Sequence, residues 1–377
     1  MTRPLTRENE TLDRTTWTWQ DGLFLLALIA LLLVIVRTAT NFTGAYDPKL
    51  TIHTHLSVLP SYTAQTLLRM AAAYVLSLVF SLIYAYTAYR SRPAAQILIP
   101  LLDILQSIPV LSFLPGVVLA LITLFPGQRL GVEIAAIILI FTGMTWNMTF
   151  SFYQSLTSIP RELQEAAQVY RLNLWQRFWT LELPAGAIGL VWNSVMSVAG
   201  GWFFLMAIES FTVGRENFRL PGLGSFLATA ADQGQFGAIL GGLAVLIGVI
   251  IVLDFFLWRP LIAWAEKFKF ETVESAQVPQ SAVLDFLRRS PTLRALTERA
   301  WLPLLRWLDT GVNRTLATAG RWEEPTSPGW TRLLGRGVMI SFAGIVLWGT
   351  WEAVLLLQTL DLGDWQQVMV GSLLTAV

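Results

Sequence analysis

Ionisable side chains are scarce inside the apolar runs of this chain, and the few present mark where chemistry is to be sought. Four carboxylates interrupt or border such runs: Asp103, Glu133, Glu209 and Asp254. A charge at membrane depth is costly, so it pairs, faces water or takes part in transport. Asp103 stands in the proline-broken stretch LLDILQSIPVLSFLP (101–115), where it caps a short helix or faces a pathway. Glu133 and Glu209 lie near run ends, within reach of solvent, and Asp254 is within a turn of Arg259, which predicts a local pair. Neutral hydrogen-bonding groups also sit in apolar surroundings: Gln106, Ser107, Ser112, Thr142, Trp146, Asn147, Asn193 and Ser197. Each reads as a helix–helix hydrogen bond or as a contact to a polar solute in transit. His53 and His55 would share one face of a strand, but the chain has no cysteine and no acidic cluster beside them, so no metal site is expected. The words AGG (199–201) and PGLG (221–224) lack the Lys-Ser/Thr that follows a phosphate loop. Gly200 and Gly201 are expected to permit close helix packing. No Ser/His/Asp set or carboxylate pair is spaced for catalysis, so neither an enzyme nor a bound cofactor is expected.

The elements that carry these groups are membrane spans. Hydrophobic residues make up 54% and charged residues 14% of the 377 residues, and mean hydropathy is +0.55, which excludes an ordinary soluble domain. A net charge of +1 gives no reason to expect nucleic acid. The pattern predicts an all-α polytopic helical bundle with about seven transmembrane helices. Residues 1–20 are a polar cytoplasmic segment, and 21–38 a retained first span rather than a cleaved signal. Further spans are expected at 66–89, 110–125, 132–152, 185–208 and 237–258, with a seventh at 337–357. The stretch 94–125 carries Pro100, Pro109 and Pro115 and reads as a helix broken by prolines; irregular backbone at that depth must be buried or line a water-filled path. Residues 209–236 read as an external loop with a short helix or turn, and 261–335 as a cytoplasmic linker. Arginine is concentrated on one side: Arg3, Arg7, Arg14, Arg90, Arg92, Arg161, Arg171 and Arg177, joined by the basic 259–335 segment. Lys49, Arg129, Arg215 and Arg219 fall on the other. The positive-inside rule therefore puts the N-terminus and the polar island 158–184 in the cytoplasm.

That island, SIPRELQEAAQVYRLNLWQRFWTLELP (158–184), lies between two apolar runs. Leu163, Ala166, Ala167 and Tyr170 follow i, i+3, i+4, i+7 spacing and are expected on one helix face, with Ser158 as N-cap. The run resembles the EAA loop of binding-protein-dependent ABC importer permeases. Glu165, Ala166 and Ala167 match its Glu-Ala-Ala, and Leu183 and Pro184 match its Leu-Pro at the right distance. Leu181 replaces an Ile, and Arg171 replaces the Gly that would turn the chain between two short helices; Asn173 is the candidate for the left-handed position instead. The resemblance implies that Leu163, Glu165, Ala166, Ala167, Tyr170, Arg171, Leu183 and Pro184 form the surface gripped by a cytoplasmic ATPase, with Ala166, Ala167 and Tyr170 filling its groove.

LLDILQSIPVLSFLP, FTGMTWNMTFSFYQSL (141–156), GLVWNSVMSVAGGWFFLMAIES (189–210) and RLPGLGSF (219–226) carry a wider resemblance, to the double-length permeases of nitrate/sulfonate/taurine-type anion importers. It implies a type I ABC importer permease domain over 60–260 in a bacterial inner membrane. It also implies an extracytoplasmic substrate-binding protein, and ATP and Mg held by the partner ATPase rather than by this chain. An anionic solute would suit the neutral donors better than a bare carboxylate. Ser372-Leu373-Leu374-Thr375 echoes Thr66-Leu67-Leu68-Arg69, so 336–377 reads as the seventh span and the opening of a second permease repeat; a second unit, fused, identical or paralogous, would complete the pathway. Two other function classes fit the composition: an ion-coupled secondary transporter with Asp103 or Glu209 as proton site, and a membrane assembly protein docking through 259–335.

Overall fold

In hydrocarbon, every backbone amide must find its partner within the protein, and a helix achieves this along its own length. The computed structural model describes residues 19–42, 51–126, 128–213 and 216–268, together with 283–284 and 303. The N-terminal segment 1–18, most of the linker, the seventh span and the expected repeat start lie outside the described residues.

Among the described residues, four helical stretches are long and apolar enough to cross a membrane: Leu56–Arg90, Arg129–Thr157, Leu174–Glu209 and Phe236–Phe268. Shorter apolar helices cover Leu28–Thr40 and Leu114–Leu124. In chain order the elements are α1 (Trp19–Phe42), α2 (Leu59–Arg90), α3 (Arg92–Ser107), α4 (Val110–Leu124), α5 (Arg129–Thr157), α6 (Arg161–Val169), α7 (Leu174–Arg177) and α8 (Leu183–Glu209). A hairpin of β1 (Ser210–Val213) and β2 (Glu216–Arg219) follows, then α9 (Leu223–Asp232), α10 (Phe236–Leu253) and α11 (Arg259–Ala265).

The proline-rich region departs from its reading as a helix broken three times. Pro100 and Pro115 are tolerated inside α3 and α4, and the chain breaks once, at Ile108-Pro109, where Pro109 caps α4. The Tyr84 hydroxyl donates to the Leu98 carbonyl at 2.6 Å, so α3 runs back along α2 and carries the break into the depth of the bundle. The 15 residues of α4 span roughly 22 Å, short of the ~30 Å hydrocarbon core; α3 and α4 together make the crossing.

The expected external loop at 209–236 is more ordered than a turn. Ser210 pairs with Arg219 and Phe211 with Phe218 in antiparallel register, and the two phenyl rings stack 5.2 Å apart. The bundle therefore has a hairpin end, with Arg129, Glu209 and α9, and a loop end, with Arg90, Thr157 and Leu183.

Small residues set the helix spacing. Val132, Ala135, Ala136, Leu139, Ile140 and Met144 of α5 are buried with Met70, Ala73, Val198 and Leu205. Gly201 seats Met144 and Met70, and Gly186 seats the Phe152 ring. Gly200, expected beside it in the packing, is exposed with open space before it. A hydroxyl seam joins α2 to α5: Ser81 Oγ donates to the Thr145 carbonyl (3.2 Å) and accepts from Thr149 (2.9 Å). Leu32, Leu33, Ile247 and Ile251 of α1 and α10 are exposed, as a lipid-facing surface requires.

Candidate functional site

The loop 158–184 is built from two short helices and a sharp turn. Ser158 does not cap α6 as expected; it ends α5, and its hydroxyl donates to the Ser155 carbonyl at 3.0 Å. α6 starts instead behind Pro160, with Glu162 in its first turn. Leu163 packs against the buried cluster that includes Leu156, Ile159 and Leu190, Ala166 is half-buried and Ala167 is 4% exposed. The small-residue stripe thus faces its own bundle. Tyr170 leaves that stripe: it caps the helix and is 78% exposed beside Val169 at 80%. Glu165 and Arg171 are also exposed.

The missing glycine is answered by Arg171 itself, not by Asn173. Arg171 takes φ +51°, its N–H donates to the Gln168 carbonyl (2.9 Å), and the Leu172 N–H reaches back to Ala167 (3.0 Å). These are the two bonds of a Schellman stop, which needs a left-handed residue at that one place. Asn173 is extended, and its side chain and that of Gln176 cap each other's backbone N–H at 2.8 and 3.2 Å. The helix Leu174–Glu209 then widens once, at Phe178–Glu182, into a π turn closed by the Leu183 N–H on the Phe178 carbonyl. Leu183 and Pro184 are half-buried. Arg177 and Glu182, both buried, pair across this turn at 2.7 Å, and Arg177 Nη2 donates to the Tyr89 hydroxyl of α2 at 3.1 Å.

A second ion cluster lies toward the hairpin end. Arg69 grips Glu133 with two parallel bonds (Nε to Oε2 2.5 Å, Nη2 to Oε1 2.9 Å), and its Nη1 reaches Glu209 (2.7 Å) and the Pro221 carbonyl (3.1 Å). Arg129 closes on Glu133 at 3.1 Å and on Gln65 at 2.9 Å. Glu209 also accepts from the Thr66 hydroxyl (2.7 Å) and from the Gly224 N–H (2.6 Å), in the first turn of α9. A Cβ on Gly222 would collide with this carboxylate and one on Gly224 with the Met206 backbone, which explains the glycines of PGLG. Glu133 and Glu209 are therefore not solvent-reachable end groups, as expected from their positions, but fully enclosed. Asp254 does pair locally with Arg259, at 2.8 Å.

The pathway candidates fall in two groups. Gln106, Ser107 and Ser112 are exposed around the α3–α4 break, beside exposed Asp103; Gln106 Nε2 donates to Asp103 Oδ1 (3.1 Å) and Ser107 Oγ to the Asp103 carbonyl (2.8 Å). On α5 and α8, Asn147 is exposed, Trp146 and Asn193 are half-buried, and Ser197 is enclosed with no hydrogen-bond partner among the described residues. Asn193 spends its amide on the Gly189 carbonyl (3.0 Å) and Thr142 its hydroxyl on Leu139 (2.8 Å). His53 and His55 are both exposed.

From the first residue of α2 to the last of a second π turn, residues 59–258, the sequence matches the family described as binding-protein-dependent transport system inner membrane component. The chain belongs to this family. It is a permease subunit of an ABC importer, a multi-pass membrane protein with the all-α type I permease fold, and a transport component rather than an enzyme. A glycine betaine transport system permease protein of Bacillus subtilis (strain 168) is 25% identical over 240 residues, 63% of this chain and 72% of that protein. A trimethylamine N-oxide transport system permease protein of Pelagibacter ubique (strain HTCC1062) is 30% identical over 209 residues, 54% of this chain. The match spans only 26% of that longer protein. In fold, the permease resembles inward-facing MetNI methionine ABC transporter at TM-score 0.45 and 17% identity, over 57% of this chain and 98% of that one. Neither curated relative is named for nitrate, a sulfonate or taurine.

The groups missed in the sequence are the buried Arg69 and the pair Arg177 and Glu182. Arg69 was legible as a lone arginine inside an apolar run, a position that demands an anionic partner; weighing only carboxylates overlooked it. Arg177 and Glu182 looked like ordinary loop charges, and the π turn that joins them leaves no mark in hydrophobic periodicity.

Proposed function

We propose that this permease carries a small methylated zwitterion across the bacterial inner membrane, driven by an ABC ATPase that docks on the loop 158–184. The ATPase holds ATP and Mg; this chain binds neither. Solute arrives from an extracytoplasmic binding protein, the N-terminus is cytoplasmic, and a second permease unit completes the pathway. The observation that carries the docking reading is the exposed knuckle of Glu165, Val169, Tyr170 and Arg171. The two most exposed large apolar side chains of the loop, Val169 and Tyr170, are held out by a Schellman stop between charged Glu165 and Arg171. Exposed apolar groups ringed by charge are the signature of a partner site. Because Ala167 faces inward, the contact is made by Val169 and Tyr170 together with Glu165, while Leu163, Ala166, Ala167, Leu183 and Pro184 position the knuckle from behind.

The solute reading rests on Asp103. Its exposed carboxylate beside the break would repel an anion and attract a quaternary ammonium. The two curated relatives are named for glycine betaine and trimethylamine N-oxide, both dipolar methylated amines. This favours a zwitterion over the nitrate/sulfonate/taurine-like anion expected from the wider resemblance.

The docking test is Val169→Asp/Tyr170→Asp. The double variant should insert normally and lose ATPase co-purification; an intact complex would remove the knuckle from the interface.

A further inference from the structure

Among the described residues, two π turns interrupt the helices, and both are built alike. Phe178–Glu182 is closed by the Leu183 N–H on the Phe178 carbonyl, and Asp254–Trp258 by the Arg259 N–H on the Asp254 carbonyl. In each case the residue after the closing one is proline, Pro184 or Pro260. A proline in a continuing helix has no N–H to give the carbonyl four residues back, and its ring crowds that carbonyl. Widening the turn by one residue relieves the clash. Both turns are spanned by an ion pair five residues apart: Arg177–Glu182 at 2.7 Å and Asp254–Arg259 at 2.8 Å. In an α-helix, residues five apart differ by about 140° around the axis, so such pairs cannot close. The π ring brings them to one side. Each pair therefore reports, and favours, the π state of its own turn.

The two pairs differ in burial. Asp254 and Arg259 are about half exposed (side chains 46% and 60%), where an ion pair contributes little. The Arg177 side chain is 6% exposed and that of Glu182 is enclosed. Arg177 also holds Tyr89, and Tyr86 packs edge-on against Phe178 at 5.2 Å. One charge pair thus meets the end of α2, the last turn of α7 and the start of α8. α7 follows the knuckle directly, so displacement of α6 that travels along the chain passes this turn before it reaches α8.

We infer that Arg177 and Glu182 are positioning residues for energy coupling: their closed pair holds the π turn that joins the ATPase-facing loop to α8. This rests on the docking reading above. Closed, the turn is π and the loop is fixed against α2 and α8. Opened, the turn is held only by Pro184 and its own backbone bond, and α8 swings more freely relative to the loop. Without the pair, motion of α6 dissipates in a slack joint. The pairing assigns a role to the Leu-Pro end of the loop that does not require Leu183 or Pro184 to touch the ATPase.

The test uses the complete importer in proteoliposomes, with binding protein and solute, and reads uptake per ATP hydrolysed alongside ATPase co-purification. Glu182→Gln should stay assembled while uptake per ATP falls roughly tenfold, the scale on which residues between two coupled sites modulate coupling. The exchange Arg177→Glu/Glu182→Arg should restore most of the ratio; a merely structural role would instead lower assembly and leave uptake per ATP of the assembled complex unchanged. A Glu182→Gln complex with wild-type uptake per ATP overturns the inference. So does an exchanged pair no better than the lower of its two components, Arg177→Glu and Glu182→Arg, whether or not Glu182→Gln itself assembles. Failure of the docking reading looks different: the Val169→Asp/Tyr170→Asp complex would then remain intact.

Discussion

Replacing Arg69 with Met removes one cation from a site that holds two enclosed carboxylates. The wild-type guanidinium makes four bonds, two to Glu133, one to Glu209 and one to the Pro221 carbonyl. Methionine fills much of the volume and makes none of them. Glu133 keeps Arg129 at 3.1 Å. Glu209 keeps only neutral donors, Thr66 and the Gly224 N–H, and becomes a buried charge without a counter-ion. Removing one partner of a buried pair costs about 3–5 kcal/mol. Arg129→Met should cost less, about 1 kcal/mol, because Glu133 retains the two-pronged grip of Arg69 and only single bonds to Glu133 and Gln65 are lost. At about 2–4 °C per kcal/mol, the expected loss in melting temperature is roughly 10 °C for Arg69→Met and about 3 °C for Arg129→Met. Tryptophan fluorescence of the permease in lipid nanodiscs follows both, since the chain carries 16 Trp. Arg69→Lys should fall between, because a point charge cannot reproduce the two-pronged grip. Adding Glu209→Gln to Arg69→Met should recover part of the loss, as neighbours in one network are not additive. A melting temperature for Arg69→Met within about 2 °C of wild type, or equal losses for the two arginine variants, would refute the account of this cluster as a buried, mutually dependent set.

Arg171→Gly should raise the melting temperature by a few degrees, since a non-glycine residue at φ +51° costs about 1–2 kcal/mol; a decrease would mean that the arginine side chain contributes more than its backbone costs. Ser197→Ala should leave uptake unchanged and stability equal or slightly higher, because its enclosed hydroxyl lacks a partner among the described residues and an unmet buried group costs about 1–3 kcal/mol. A steep fall in uptake would instead place Ser197 on the solute. Asp103→Asn should weaken glycine betaine uptake by about tenfold, as expected for loss of one charge contact, with the larger effect on apparent affinity; unchanged uptake would remove the carboxylate from the pathway.

The course of the fold was legible because hydrophobic runs of span length leave few alternatives in a bilayer. The loop 158–184 was legible because charged, helix-forming residues between two such runs need an aqueous home. Its orientation was not. Helical spacing put Leu163, Ala166, Ala167 and Tyr170 on one stripe, and the obvious use for a small stripe was a partner's groove. The bundle takes Ala167 first, because α6 folds back on the buried cluster that includes Leu156 and Ile159, and the Schellman stop turns Tyr170 away. Nor did spacing reveal Arg69 with Glu133 and Glu209, 64 and 140 residues apart. Only the meeting of α2, α5 and α8 brings those side chains together, and no local pattern records a meeting of helices.

The distribution of polar groups along the bundle also says where it can flex. Between the two ion clusters, α2 and α5 are joined by Ser77, Ser81, Thr145 and Thr149, which bond to one another and to backbone carbonyls. Close approach of helices through small residues leaves little room for sliding, so α2 and α5 behave as one body. The hairpin-end cluster adds α8 and the first turn of α9 to that body through Glu209. Among the described residues, movement imposed at the loop end meets discontinuities at the two π turns and at the Ile108-Pro109 break. The break carries Asp103, Gln106, Ser107 and Ser112, all exposed, and lies on a segment tied to α2 only through contacts such as Tyr84 with Leu98. On the docking proposed above, a rigid seam with a joint at the 158–184 end and a hinge beside the polar break would convert a push on α6 into relative motion at that break, without disturbing the buried charges that hold the rest together.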